Sequence, residues 1–135
     1  MALKLMYITN RPEIAQIAET AGVDRIFIDL EYIGKADRQG GMDTVQSCHT
    51  LDDVKRISEA ITTAELLVRV NPIHDAREAY ASSEEEIGTA IDNGADIVML
   101  PFFKTFVNKS NLLFRFISNK FLTYSALLFS KFRSI

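Results

Sequence analysis

Acidic residues are absent from the last part of this 135-residue chain, where none follows Asp96. Residues 1–104 contain all 18 acidic side chains and ten lysines and arginines, a net charge of −8, whereas residues 105–135 contain five basic side chains. The same tail holds six of the nine phenylalanines and has neither glycine nor proline. So abrupt a change in composition indicates a segment of different origin. We therefore predict two regions, 1–105 and a basic, Phe-rich tail at 106–135.

Cysteine and long apolar runs are also scarce. The single cysteine, Cys48, has no second thiol with which to form an internal disulfide, which indicates a reducing compartment. No segment reaches the roughly 20 apolar residues of a membrane span, and the amino terminus lacks the apolar core of a signal peptide. The net charge is only −3, so the chain as a whole lacks the excess of basic residues that is typical of a nucleic-acid-binding protein. We expect a cytoplasmic globular protein with no transmembrane segment and no nucleic-acid partner.

Hydrophobic periodicity predicts alternating strands and helices. Apolar runs bounded by Gly, Pro or polar residues predict four strands, and apolar residues at helical spacing predict a helix in each interval. The order βαβαβαβ requires parallel pairing through right-handed crossovers, so the predicted class is α/β, either a barrel or a doubly wound sheet. No G-x-G-x-x-G or P-loop follows any strand, which removes the main support for nucleotide binding. The predicted strands are 3–8, 25–31, 65–71 and 95–101, and the predicted helices begin at Pro12, run over 51–62, and begin after Ser82 or Ser83.

Charged and polar side chains end the second and third predicted strands. Because strand side chains alternate between faces, Asp29 and Glu31 share one face of their strand, and Arg69 and Asn71 share one face of theirs. The carboxyl ends of parallel strands are where α/β folds bind ligands. The sequence therefore predicts the position of a binding site, without its chemistry.

Arg69 is the strongest candidate in this group. Its planar guanidinium suits a carboxylate or phosphate and stays charged when partly buried; alternatively, it pairs only with the nearby acids. Asp29 and Glu31 have three open interpretations, which are contact with a ligand, ligation of a metal, or a structural network that orients Arg69.

Other chemistry-bearing residues have weaker signals. Tyr32 could donate a hydrogen bond or relay a proton, but loop tyrosines usually pack. His49 and His74 are isolated in loops, so we expect solvated or helix-capping roles rather than metal ligation. The acidic run Glu84 to Glu86 is predicted to be a solvated first helical turn.

Three phrases carry a resemblance to a known family. G-V-D-R-I-F-I-D-L-E, L-L-V-R-V-N and I-D-N-G-A-D-I-V-M-L-P-F-F-K-T, in this order and spacing, resemble the HpcH/HpaI aldolase and citrate lyase β-subunit family of pyruvate-barrel enzymes. The match covers roughly residues 3–105. It implies a (β/α)₈ fold, homo-oligomers, and cleavage or formation of carbon–carbon bonds in 2-oxo acids and related acyl compounds. Mg²⁺ or a similar divalent ion typically holds pyruvate as its enolate in such enzymes.

The resemblance also assigns roles to residues. Arg69 matches the arginine that binds the carboxylate and enolate oxygens, so we predict it as both catalytic and substrate-binding. Asp29 and Glu31 match the acidic pair at the end of the second strand and are predicted to be substrate-binding. Tyr32 departs from the family, because the aldolase branch commonly has a histidine after the glutamate.

A larger departure lies at the end of the chain. The metal-binding acids of the family come from later strands, and no acid follows Thr105 here, so we predict no metal ligands and no bound divalent ion. The expected architecture is the first four strand–helix units of a truncated (β/α)₈ barrel, followed by a helical or disordered tail not homologous to the family. A truncation or frameshift near codon 105 would produce such a chain.

Two functions are consistent with these features. The first is a fragment of a metal-dependent carbon–carbon lyase that recognises a small-molecule carboxylate and is inactive alone. The alternative is a non-catalytic interaction module that binds a partner through exposed barrel edges or the basic tail.

Overall fold

The structure is a computed structural model that describes residues 3–33, 48–76 and 81–101. The chain divides into two units, Met1–Pro101 and Phe102–Ile135, and all described residues belong to the first. The predicted region boundary at 105 and the predicted structure of the tail lie outside the described residues and stay predictions.

Four strands and three helices alternate along the described chain. This confirms the predicted α/β class and order of elements, and among the described residues one helix lies between each strand and the next. The elements are β1 (Met6–Ile8), α1 (Pro12–Thr20), β2 (Arg25–Asp29), α2 (Leu51–Ala60), β3 (Glu65–Arg69), α3 (Ser83–Asp92) and β4 (Ile97–Met99).

The strands form one parallel sheet in the order β1-β2-β3-β4. Helix α2 contacts both α1 and α3, so the three helices form one layer on one face of the sheet. Right-handed crossovers between consecutive neighbouring strands place their helices on the same side. A doubly wound sheet reverses its strand order at one point, and the four described strands show no reversal.

The core lies between the helices and the apolar face of β2 and β3. Ile26, Ile28 and Val68 on the strands are fully buried, as are Val54 and Ile57 on α2. Burial of each large aliphatic side chain contributes about 1.5–3 kcal/mol. The helix-facing side of the sheet is therefore the main source of stability.

Each strand is shorter than the sequence predicts, and at the ends of β2 and β3 side chains replace the backbone partners of a strand. The backbone N–H of Glu31 donates to the side chain of Asp29 at 3.1 Å rather than to β3. The backbone N–H of Asn71 donates to the carboxylate of Glu86 at 3.3 Å. The polar residues that predicted a site thus also end the strands that carry them.

Capping boxes begin two of the helices. The Thr50 hydroxyl accepts from the backbone N–H of Asp53, and the Asp53 carboxylate accepts from that of Thr50. Ser82 and Glu85 make the same reciprocal pair at the start of α3. Such caps satisfy N–H groups that have no partner within the helix, each worth about 1 kcal/mol.

Helix α2 ends earlier than the predicted residue 62. Ile61 has an extended backbone, and Glu19 of α1 accepts hydrogen bonds from the N–H groups of Thr62, Thr63 and Ala64 at 2.6–2.8 Å. These backbone hydrogen bonds, from Ala64 first, lower the pKa of Glu19 to about 2. One carboxylate on α1 therefore shapes the turn that leads from α2 into β3.

Candidate functional site

Asp29 and Arg69 meet at the carboxyl end of the sheet, as the sequence predicts. They are register partners across β2 and β3, and their side chains make a two-pronged ion pair, Nε to Oδ1 and Nη2 to Oδ2, both at 2.8 Å. Glu31 adds a third contact, with its Oε2 3.2 Å from Nε of Arg69. The structure therefore brings together the three residues predicted to form the site, although their roles stay predictions.

The two acids are buried and the arginine is not. Asp29 and Glu31 are each 3% exposed, whereas the side chain of Arg69 keeps 29% of its surface exposed. The hydrogen bond to Asp29 raises the pKa of Arg69 further, against the opposing effect of burial. The guanidinium is therefore a permanent positive charge between two carboxylates, and the ionised trio carries a net charge of −1.

One edge of the Arg69 guanidinium remains available. A guanidinium has five N–H donors in a fixed planar fork, and the contacts with Asp29 and Glu31 use Nε and one side of Nη2. Within residues 3–33, 48–76 and 81–101, no group accepts a hydrogen bond from Nη1. A planar anion can therefore bind to the outer edge while Asp29 holds the inner one.

The aromatic ring of Phe27 lies close to the guanidinium of Arg69. Phe27 lies two residues before Asp29 on the same face of β2, and its ring centroid is 5.6 Å from the guanidinium carbon of Arg69. A cation at this distance is attracted by the ring. Arg69 is thus fixed by a carboxylate in its plane and by an aromatic ring near its face.

Glu86 is buried, so the prediction of a solvated first turn is wrong for this residue. It is 8% exposed, and its Oε1 accepts from Nδ2 of Asn71 at 2.7 Å. Burial raises the pKa of Glu86, and the hydrogen bonds from Asn71 partly oppose that effect. The prediction failed because α3 begins over the end of β3, so one side of its first turn faces the sheet.

His49 contacts the backbone of the site, a contact that the sequence does not predict. Its Nδ1 accepts a hydrogen bond from the N–H of Asp29 at 3.0 Å, so the proton of the neutral ring lies on Nε2. Because β1 ends at Ile8, the imidazole occupies the place of a strand carbonyl at that level of the sheet. A lone loop histidine twenty residues away carries no local signal of this contact.

His74 lies in the segment before α3. Its two ring nitrogens are 2.7 Å from the carbonyl oxygen of Pro72 and 2.8 Å from that of Ala81, and its backbone N–H donates to Ser83. These contacts hold together the segments on either side of residues 77–80. His74 therefore has a structural role, close to the capping role that the sequence predicts.

Tyr32 and Cys48 are exposed. The backbone N–H of Tyr32 donates to the side chain of Asn71 at 2.9 Å, which fixes the main chain at this position. A role for the Tyr32 hydroxyl in proton transfer stays a prediction.

The described acids do not fit a divalent cation. Mg²⁺ requires several oxygen ligands in octahedral geometry, whereas both carboxylate oxygens of Asp29 accept from Arg69. Across the described part of the chain, no cluster of three His, Cys, Asp or Glu side chains is placed to hold a metal ion. The site is therefore built around an arginine.

Comparisons with known proteins add no family assignment. No family model matches the chain, and a search of curated proteins also finds no match. Among the helices of the described residues, none has the length and apolar character needed to cross a membrane.

Proposed function

We propose that this chain binds a small-molecule carboxylate at the outer edge of Arg69, as the substrate-anion part of a carbon–carbon lyase site for 2-oxo acids or related acyl compounds. The observation that carries the proposal is the placement of Arg69. It lies at the carboxyl end of a parallel sheet, is held on one edge by Asp29, and has a second edge of N–H donors that no residue of 3–33, 48–76 or 81–101 occupies. The resemblance to the HpcH/HpaI aldolase and citrate lyase β-subunit family supplies the substrate class.

The order of the elements supports the proposed barrel. Four parallel strands in sequential order, with their helices on one face, are consistent with the first half of a (β/α)₈ fold. In that fold the opposite face of the sheet lines the barrel interior, which is the face that carries Phe27, Asp29 and Arg69.

Arg69 would contribute by stabilising negative charge. Cleavage next to a 2-oxo acid leaves an enolate, and N–H donors aimed at its oxygens stabilise that charge by several kcal/mol in a water-excluded site. The two acids beside Arg69 work against this effect, because they already contact its positive charge. We therefore propose that the described residues bind the carboxylate but do not complete a catalytic site, and that the chain is inactive alone.

Titration of the 135-residue chain with pyruvate and oxalate, followed by NMR and calorimetry, tests the binding proposal. Arg69→Lys keeps the positive charge but loses the planar fork, so we expect the Kd to rise about tenfold, equivalent to about 1.4 kcal/mol. Arg25→Lys is the matched control at the opposite end of the same strand pair, and its Kd should equal that of the wild type. Absence of binding by the wild type would refute the proposal.

A turnover assay tests the proposed inactivity. The purified chain is incubated with 4-hydroxy-2-oxo acids and Mg²⁺ or Mn²⁺, and pyruvate release is measured. We expect none above the rate without protein. Turnover that Arg69→Lys abolishes would show that the chain is an active enzyme.

A non-catalytic interaction module remains the second candidate, and β1 is the observation that favours it. Met6, Tyr7 and Ile8 are 50%, 47% and 46% exposed, so this strand presents apolar side chains on both faces. Exposed apolar edges of this kind mark surfaces that bind other chains. Size-exclusion chromatography with light scattering tests this function, because a stable monomer at all concentrations that captures no partner would contradict it.

A further inference from the structure

A buried carboxyl group lies outside the ion-pair trio and is not used in the proposed binding. Glu86, in the first turn of α3, is 8% exposed, and both of its oxygens are within hydrogen-bonding distance of Asn71. The backbone N–H of Asn71 is 3.3 Å from each oxygen, and the side-chain Nδ2 is 2.7 Å from Oε1. A carboxyl group is costly to bury, which raises the question of what this contact achieves.

The contact determines which way the amide of Asn71 faces. Since Nδ2 donates to Glu86, Oδ1 faces the opposite direction and accepts from the backbone N–H groups of Tyr32 and Ile33, at 2.9 and 3.0 Å. A flipped amide would place its oxygen against the carboxylate and its NH₂ group against two further donors. The hydrogen-bond chemistry therefore permits a single orientation.

The segment that Asn71 holds adjoins the candidate site directly. Tyr32 follows Glu31, whose carboxylate contacts Arg69 at 3.2 Å. On its other side, the N–H of Glu31 donates to Oδ1 of Asp29 at 3.1 Å. Residue 31 is thus fixed by Asp29 on one side and by Asn71 on the other.

We propose that Glu86 is a positioning residue for the carboxylate site, acting through Asn71 on the backbone at Tyr32 and Ile33. This inference rests on the proposed function, because the site it positions is the outer edge of Arg69. Glu86 does not touch Arg69, yet it holds the one amide orientation that secures the segment carrying Glu31. Loss of that orientation releases the acid beside Arg69 and disturbs the edge at which the ligand binds.

Exchange of donor and acceptor groups between residues 71 and 86 tests the proposal. Asn71→Asp places a second carboxylate against that of Glu86, so we expect the Kd for oxalate to rise about tenfold. Glu86→Gln has a milder effect, about threefold, because the glutamine can still accept one hydrogen bond from Asn71.

The double variant Asn71→Asp, Glu86→Gln restores a complete set of partners. The new glutamine donates to the new aspartate, which still accepts from Tyr32 and Ile33. We expect its Kd to return to within about twofold of the wild type. If each substitution acted only by lowering the stability of the fold, the two losses would add, and the double variant would bind no better than either single variant. If the double variant binds as poorly as Asn71→Asp, the proposal is wrong.

Ile87→Ala is the matched structural control. It removes a buried side chain from the same helix, next to Glu86, without altering the hydrogen bonds. At a temperature at which the variant is folded, its Kd should equal that of the wild type. A change as large as that of Asn71→Asp would overturn the positioning role.

Amide hydrogen exchange without ligand separates failure of this inference from failure of the proposed function. We expect the amides of Tyr32 and Ile33 to exchange faster in Asn71→Asp and to regain protection in the double variant. Restored protection without restored binding would overturn the positioning role while the binding function stands. If the wild type binds neither pyruvate nor oxalate, the proposed function fails, and with it the positioning role.

Discussion

Strands β2 and β3 are joined by two ion pairs of similar length at opposite ends, a single contact at the amino end and a two-pronged one at the carboxyl end. Arg25 and Glu65 are register partners at the amino end, with Nε 2.9 Å from Oε2, and Asp29 and Arg69 are partners at the carboxyl end, at 2.8 Å. The Glu65 side chain is 43% exposed, whereas that of Asp29 is 3% exposed. The comparison shows that the donor–acceptor distance alone does not separate an exposed ion pair from a buried one. Burial of the acid separates them.

Acids connect neighbouring segments at both ends of the sheet. At the amino end, Asp24 and Asp96 each accept from the backbone N–H of a neighbouring strand, of Leu5 and Leu66 respectively. At the carboxyl end, Asp29 and Glu86 accept from the side chains of Arg69 and Asn71. At both ends the acids hold neighbouring segments together, and at the carboxyl end they also fix the side chains on which the proposed binding depends.

Removal of each arginine should give the largest difference between the two ends. Arg69→Ala leaves two buried carboxylates without their cation, so we expect the free energy of unfolding to fall by about 3–5 kcal/mol. Arg25→Ala removes a partly exposed pair and should cost about 0–1 kcal/mol. Urea denaturation at pH 7 measures both changes. Equal losses would contradict the distinction between the two ends.

Alanine at the two glycines that precede β2 and β4 should give the next largest effect. Gly94 has φ +99°, and a Cβ there would lie 2.6 Å from Oγ of Ser58, so Gly94→Ala combines backbone strain with a steric clash. We expect a loss of about 2–4 kcal/mol. Gly22 has φ +89° and open space around it, so Gly22→Ala should cost only the backbone strain, about 1–2 kcal/mol.

Ligand binding sharpens this second prediction. Both glycines lie at the amino end of the sheet, far along the strands from Arg69. The Tm of Gly94→Ala should therefore be lower than that of Gly22→Ala. The Kd of each folded variant for oxalate should equal that of the wild type. Weaker binding by either variant would show that the two ends of the sheet are coupled.

The smallest expected effect is the pH dependence that comes from Glu19. Its pKa is about 2 in the folded chain and 4.5 when the side chain is unperturbed, as in the unfolded chain. The ionised group therefore stabilises the fold above pH 4.5. That contribution is lost as the pH falls from 4.5 to 2. Because the carboxylate is close to solvent, we expect it to be worth about 1 kcal/mol.

Glu19→Gln is the variant that isolates this contribution. At pH 7 it should lower the free energy of unfolding by about 1 kcal/mol, and the difference from the wild type should shrink towards zero as the pH falls to 2, where Glu19 starts to be protonated in the folded chain. Urea denaturation between pH 2 and pH 7 measures the difference. A constant difference over this range would show that the Glu19 charge does not matter.

Local patterns in the sequence were sufficient for the order of the elements and for the meeting of Asp29 with Arg69. Strand alternation places each of these side chains on a defined face, and parallel pairing brings the strand ends to the same edge of the sheet. Neither step requires knowledge of how the helices pack. The choice between a barrel and a doubly wound sheet, by contrast, depends on strand order, which the periodicity of single segments does not contain.

The contacts that the sequence did not predict depend on packing between distant elements. Glu86 resembled its exposed neighbours because three successive acids give no sign of which one faces the sheet. The sequence predicts His49 only as an isolated loop residue. Strand β1 ends early and leaves the Asp29 N–H to the imidazole, and this is visible only in the folded chain. Helix caps such as Thr50 with Asp53 could be predicted because both partners lie within one turn.

Sequential strand order has a consequence for assembly on the ribosome. In the sheet β1-β2-β3-β4, every strand pairs with the one synthesised before it, and each helix contacts the preceding helix. The paired residues are 19, 40 and 30 positions apart, and each strand finds its partner among residues that have already been synthesised. The chain can therefore add one strand–helix unit at a time as it emerges. The ion pair between Asp29 and Arg69 can form as soon as β3 has been synthesised.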